Sequence, residues 1–143
     1  MKIILDYNRT IFDPESEKFY PGVSDMLQRI AASHELFLIS TNKPGRERTL
    51  VDAGIRDFFK KTVFTGSKTP ELFLELAGED KDVLVVGDRI RKELRIGNML
   101  GLVTVWVRQG KFAAETPASQ EEIPTHSIQS IDELEDIISA YEK

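Results

Sequence analysis

Apolar runs of strand length alternate along this chain with segments whose apolar residues recur at helical spacing. That alternation restricts the fold more than any other feature. The runs are Lys2–Leu5, Glu35–Ser40, Thr62–Phe64, Val83–Val86 and Leu102–Val107. Their apolar residues are contiguous, as in strands buried on both faces of a parallel sheet. Between them Val23, Met26, Leu27 and Ile30 define one helix face, entered through Pro21-Gly22. Leu72, Phe73, Leu76 and Ala77 define another, entered through Thr69-Pro70 with Glu71 in the first turn. Leu94, Met99 and Leu100 form a third, with Gly101 as its stop. A last helix is predicted from about Ile131 to Tyr141, where Ser130 and Glu133 have capping-box spacing. Strand and helix in alternation predict an α/β domain with a mostly parallel sheet. Arg108–Thr125, rich in Gln, Ala, Glu and Pro, reads as a surface loop, followed by a short strand near Ser127-Ile128. Nothing resembles a linker, so 1–143 reads as a single domain.

At 143 residues the chain can bury roughly two thirds of its unfolded surface. A formal charge of -5, with no long Lys/Arg block, argues against general nucleic-acid binding. The absence of cysteine excludes disulfides and thiolate metal sites. No apolar run approaches the roughly 18 residues of a membrane span, and the first residues lack the pattern of a signal peptide. The expectation is a soluble, cytoplasmic protein without a membrane partner.

In open α/β sheets ligands bind outside the carboxyl ends of the strands. The polar residues at those ends are Asp6, Ser40-Thr41-Asn42 and Asp88, with Glu93 five residues further on. Carboxylates delivered by two strands into one crevice can hold a magnesium ion, which prefers hard oxygen ligands. An Asp can also attack phosphorus, and a hydroxyl or backbone N–H can hold a phosphoryl oxygen. Each feature has a plainer counterpart. Asp6 could begin an Asx turn with Asn8, and Thr41-Asn42 could cap a helix over Gly45–Leu50. Glu93 could pair with Arg89 four residues earlier on a helix surface. Lys68 could be a solvated loop lysine, and Arg89, Arg91, Lys92 and Arg95 a solvated helix face. His34 and His126 have no telling neighbours, and Trp106 reads as core packing.

Asp6-Tyr7-Asn8-Arg9-Thr10, Thr41-Asn42-Lys43 and Gly87-Asp88 followed by Glu93 resemble the motifs of the haloacid dehalogenase (HAD) superfamily. Pro21-Gly22-Val23 and Thr104-Val105-Trp106-Val107-Arg108 support the resemblance, which runs in order over nearly the whole chain. It implies a Rossmann-like three-layer sandwich with strand order 3-2-1-4-5, magnesium dependence and an aspartyl-phosphate intermediate. In that scheme Asp6 is the nucleophile, Thr41 with Asn42 binds the phosphoryl group, Asp88 ligates magnesium, and Glu93 orients that ligand from behind. The metal set is then Asp6, Asn8 through its backbone carbonyl, Asp88 and Glu93.

The resemblance departs from the family pattern twice. Family phosphatases carry an Asp two residues after the nucleophile as general acid and base, where this chain has Asn8. The family lysine, which balances nucleophile and phosphoryl charge, aligns with Ser67 when counted back from Pro70. Lys68, one residue off, is the candidate for that catalytic and phosphate-binding role, with Lys43 as a fallback. Only about 30 residues separate Asp6 from Thr41, enough for a small flap at about 13–20 and no cap domain. An uncapped site suits a large or exposed phosphate ester, or closure by a neighbouring subunit in a homo-oligomer; the expected ligand is a phosphorylated small molecule or an exposed phosphate ester. The expected function is a magnesium-dependent phosphomonoester hydrolase with its acid/base Asp replaced by Asn8. The alternative is a catalytically impaired HAD-like module that binds magnesium and a phosphorylated ligand or protein partner. Dehalogenation is disfavoured, because without a cap a small halo-acid would not be sheltered from water.

Overall fold

A computed structural model describes residues 1–142. Six parallel strands form the central sheet: β1 (Lys2–Leu5), β4 (Glu35–Thr41), β5 (Phe59–Thr65), β6 (Val83–Gly87), β7 (Val103–Val107) and β8 (His126–Ile128). Their spatial order is β5-β4-β1-β6-β7-β8. This is the predicted 3-2-1-4-5 order with a sixth strand added at one edge. β5 is longer than the predicted Thr62–Phe64 because its first half pairs with β4 through a register shift between Leu36 and Phe37.

Side chains alternate across each strand, and both faces are covered. Ile3, Leu5, Leu36, Leu38, Leu84, Val86, Val105 and Val107 point to one side. There they meet α1 (Val23–Ala31), α2 (Arg46–Asp52) and α5 (Leu134–Tyr141), through Met26, Leu27, Leu50, Leu134 and Ile138. Ile4, Phe37, Ile39, Val83, Val85 and Trp106 point to the other side, toward α3 (Pro70–Ala77) and α4 (Glu93–Met99). Two-sided burial is why these strands read as continuous apolar runs. The predicted last helix begins as a 3-10 turn over Ile131–Glu133 before α5. The capping box is formed there, with Ser130 N–H donating to Glu133 Oε2 at 2.9 Å.

Between β1 and α1 the chain makes a two-stranded antiparallel hairpin, β2 (Phe12–Asp13) and β3 (Lys18–Phe19). Its base is fixed by three rings. Tyr7 stacks on Phe12 at 4.9 Å, and Phe19 packs edge-on against Phe12 at 5.1 Å. The hairpin therefore stands at the carboxyl end of β1. No helix among the described residues is long and apolar enough to cross a membrane.

Candidate active site

β4, β1 and β6 are adjacent, and their in-register carboxyl ends place Thr41, Asp6 and Asp88 side by side. Asp6 N–H continues the pairing to Val86 at 3.0 Å, which fixes the backbone from which its carboxylate leaves the sheet. Asp6, Asp88 and Glu93 each bring one oxygen into a group whose members lie within 4.8 Å of one another. Glu93, at the first turn of α4, is 2% exposed. Its Oε1 accepts from Arg89 N–H at 3.2 Å, so it points inward. It makes no ion pair with the Arg89 guanidinium, whose Nε pairs with Glu115 at 3.2 Å. The surface-pair alternative for Glu93 is thereby excluded. Gly87 makes room for this arrangement, since a Cβ there would overlap the Glu93 side chain.

Lys68 enters from the loop between β5 and α3. Its Nζ lies 2.5 Å from Asp6 Oδ1 and 3.5 Å from Glu93 Oε2, and the side chain is 12% exposed. It is not a solvated loop lysine. Counting back from Pro70 puts Ser67 in this place, but the loop turns first. Thr65 Oγ1 accepts from Ser67 N–H at 3.2 Å and donates to Ser67 O at 2.9 Å. That local turn leaves Ser67 exposed and directs Lys68 inward.

The electrostatics follow from three acids and one ammonium in a nearly dry crevice. Burial, then the charges of Glu93 and Asp6, push Asp88 up to about 9. Burial also raises Glu93. Burial works against the charge of Lys68, but Glu93 and Asp6 outweigh it and hold the ammonium well above its usual range. One of their oxygens, Asp88 Oδ2, is buried without a hydrogen-bond partner among the described residues.

Thr41 at the end of β4 is held by a residue the sequence did not mark. Arg46 Nη1 donates to Thr41 Oγ1 at 2.5 Å, Thr41 O at 3.1 Å and Ser40 Oγ at 2.6 Å. Its guanidinium lies 4.9 Å from the centre of the Tyr7 ring. Because the Thr41 oxygen accepts this bond, its own hydroxyl hydrogen is available to donate elsewhere. α2 begins at Arg46 with Gly45 before it at φ 84°, so Thr41-Asn42 is not its cap. Asn42 does not line the crevice, and its backbone N–H is taken by Thr65 O at 2.9 Å. Lys43 does not line it either.

These residues border a cleft of about 360 Å3, which Asn8 also lines. Its outer wall comes from the stretch read as a surface loop. Phe112 lies beneath two guanidiniums, 3.7 Å from Arg89 and 5.2 Å from Arg9. The arginines of α4 and its approach are not merely solvated. Arg89 and Arg91 pair with Glu115, Arg91 also with Glu122, and Arg95 with Glu121, and together they tie the loop down.

The family described as HAD-hydrolase-like matches residues 63–134, just over half of the chain. This chain belongs to the HAD-like hydrolases. The matched stretch holds Lys68, Asp88 and Glu93, while Asp6 and Thr41 lie before it. Glyceraldehyde 3-phosphate phosphatase of Methanopyrus kandleri is 31% identical over 98 residues, 62% of this chain and 42% of that protein. The chain thus spans about two fifths of the length of the curated relative it matches. A haloacid dehalogenase-like protein from Burkholderia xenovorans LB400 has the same fold, with a TM-score of 0.83 at 12% identity over 99% of this chain and 98% of that one. So has D,D-heptose 1,7-bisphosphate phosphatase from B. bronchiseptica, solved with magnesium and phosphate. Its TM-score is 0.70 at 17% identity over 98% of each chain.

The donor set of this HAD-like chain fits a hard divalent cation. Three carboxylates converge, and Asp88 Oδ2 has no hydrogen-bond partner among the described residues. A buried, unbonded carboxylate oxygen is costly unless a proton or a cation meets it.

Proposed function

We propose that this chain is a magnesium-dependent phosphomonoester hydrolase in which Asp6 is the nucleophile. The observation that carries the reading is the convergence of Lys68, Asp6, Asp88 and Glu93 in one buried cluster beside Thr41. A structural ion pair would need one acid, whereas here three converge at the edge of a cleft and one lysine pairs with only two of them. Asp6, Asp88 and the backbone carbonyl of Asn8 would hold magnesium, with Glu93 orienting Asp88. The ion would neutralise phosphoryl charge.

The chain's own residues would supply the remainder. A carboxylate oxygen of Asp6 attacks phosphorus as the bond to the leaving oxygen breaks, giving an aspartyl phosphate. Thr41 donates its free hydroxyl hydrogen to a phosphoryl oxygen, and the Lys68 ammonium balances the charge of the same group. The leaving oxygen departs with the bonding pair and needs a proton that Asn8 cannot give. Loss of such acid–base help typically costs 10²–10⁴-fold, or about 3–5 kcal/mol of barrier. Aryl and acyl phosphates, whose leaving groups need least protonation, are therefore the favoured substrates. The phosphatase named among the relatives supports a phosphorylated small molecule as substrate.

Asn8 is also the observation that favours a second reading, a HAD-like module that binds magnesium and a phosphorylated ligand without turning it over. Hydrolysis of a panel of aryl, acyl and alkyl phosphates, with and without magnesium, separates the two. Magnesium-dependent turnover that disappears in Asp6→Asn supports the enzyme, with Asn8→Asp faster still on alkyl esters. Activity only in Asn8→Asp supports the module.

A further inference from the structure

Beyond Asn8 the cleft adjoins a second hollow of similar size, about 360 Å3. Asn8 and Arg46 line both, so those two residues form the boundary between the two spaces. Phe12, Pro14 and Pro44 wall the second hollow, and Lys43 borders it. In the proposed phosphatase Asn8 stands where the leaving oxygen departs, so the hollow on its far side is where a leaving group would lie.

Arg46 at the junction is unusual. It is 9% exposed, yet among the described residues no carboxylate lies within ion-pair distance of it. Lys68, the other well-buried cation of the cleft, is held by two carboxylates. The hydrogen bonds of Arg46 go instead to the oxygens of Ser40 and Thr41, all through Nη1. Nε and Nη2 make no hydrogen bond to the described residues. The guanidinium lies over the Tyr7 ring and feels the charge of Asp6, but its remaining N–H groups reach solvent and are free to meet an arriving anion with charge-assisted hydrogen bonds. Lys43, across the same hollow, is exposed and also forms no ion pair with the described residues. Glu17, the one acid lining the hollow, is within ion-pair distance of neither cation.

We propose that the substrate carries a second anionic group on its leaving-group side, a carboxylate or a phosphate, and that Arg46 and Lys43 bind it. The inference rests on the phosphatase reading for the placement of the first phosphoryl group. Two cations with no carboxylate within ion-pair distance among the described residues, one of them largely buried, border a single hollow at the required place. The planar fork of Arg46 suits either oxyanion, and Lys43 adds a mobile point charge. A neutral leaving group would leave Lys43 and the free N–H groups of Arg46 to water.

The test uses non-hydrolysable probes, so it does not depend on turnover. Propylphosphonate, 3-phosphonopropionate and propane-1,3-bisphosphonate are titrated calorimetrically into the protein with magnesium present, and into Lys43→Met. Either doubly anionic probe is expected to bind at least about tenfold more tightly than propylphosphonate. That preference should fall severalfold in Lys43→Met, where Arg46 alone remains, and shrink in about 0.5 M salt. The stronger of the two probes identifies the second group as carboxylate or phosphate. Equal affinity for all three, or no binding of any, overturns the proposal. A clear preference alongside no ester hydrolysis would leave the second anion site standing and sink the phosphatase instead.

Discussion

The indole N–H of Trp106 on β7 donates to the main-chain carbonyl of Asp88 at 3.0 Å. Sequence reading assigns Trp106 to core packing. It is buried as expected, but its polar edge also pins the backbone on which one of the three convergent acids stands. Trp106→Phe keeps most of the packing and leaves the Asp88 carbonyl without its donor, at a cost of about 1–3 kcal/mol. The expected result is a lower melting temperature together with a weaker magnesium-induced shift. A variant with a lower melting temperature and an undiminished shift would reduce the bond to a purely structural one.

Metal-free protein should lose stability as pH rises. Asp88 sits at about 9 in the folded state against an ordinary 3.8. Across that window the folded chain keeps a proton that the unfolded chain has released, so the slope of stability against pH is negative. The raised carboxyl of Glu93 acts in the same direction. Denaturant midpoints at pH 5, 7 and 9 should fall in sequence without magnesium and flatten in Asp88→Asn. Magnesium, which competes with that proton, should raise the midpoint most at high pH. A metal-free midpoint independent of pH would contradict the crowding of these acids.

Lys68→Met removes the one cation within ion-pair reach of Asp6 and Glu93 among the described residues. Breaking a buried pair from one side typically costs about 3–5 kcal/mol. Here the remaining acids also repel one another more strongly. The metal-free variant should therefore melt well below the parent, while the increment on adding magnesium grows, because the cation then relieves more repulsion. Scanning calorimetry with and without magnesium reads both numbers. An unchanged metal-free transition would mean that Lys68 contributes nothing to holding the cluster.

Gly87→Ala places a methyl group inside the volume of the Glu93 side chain. Overpacking of this kind costs about 1–3 kcal/mol and here expels a specific group. The variant should fold but lose most of the magnesium-induced increase in melting temperature. Retention of the full increase would remove Glu93 from any part in metal binding.

The sheet is legible in the sequence because two-sided burial leaves contiguous apolar runs, and Asp6 and Asp88 are conspicuous as carboxylates that end such runs. Glu93 is visible as a spacing but ambiguous, because a helix-surface pair with Arg89 has the same spacing. The burial of Glu93 and the tertiary pairing of Arg89 with Glu115 decide between them. Lys68 is misplaced by counting from Pro70, since the turn at Thr65–Ser67 is a side-chain event that spacing does not record. Arg46 gives no signal at all. Among Arg46-Glu47-Arg48 it looks like any helix-surface arginine, and its burial arises only because β4 and Tyr7 lie beside it. The stretch Arg108–Thr125 reads as a surface loop because its composition is polar, and the ion pairs that tie it to α4 join residues far apart in the chain.

The central place of β1 has a consequence for how the chain is made. It is the first of the sheet's strands to be synthesised, yet its two neighbours are β4 at Glu35–Thr41 and β6 at Val83–Gly87. At roughly 5–20 residues per second, Ile3, Ile4 and Leu5 must wait several seconds for the second of these partners to emerge from the ribosome. During that interval a strand that is wholly enclosed in the finished protein is exposed on the nascent chain. The demand for chaperone protection, and the danger of pairing with another newborn copy, are therefore greatest before Val83–Gly87 has been translated.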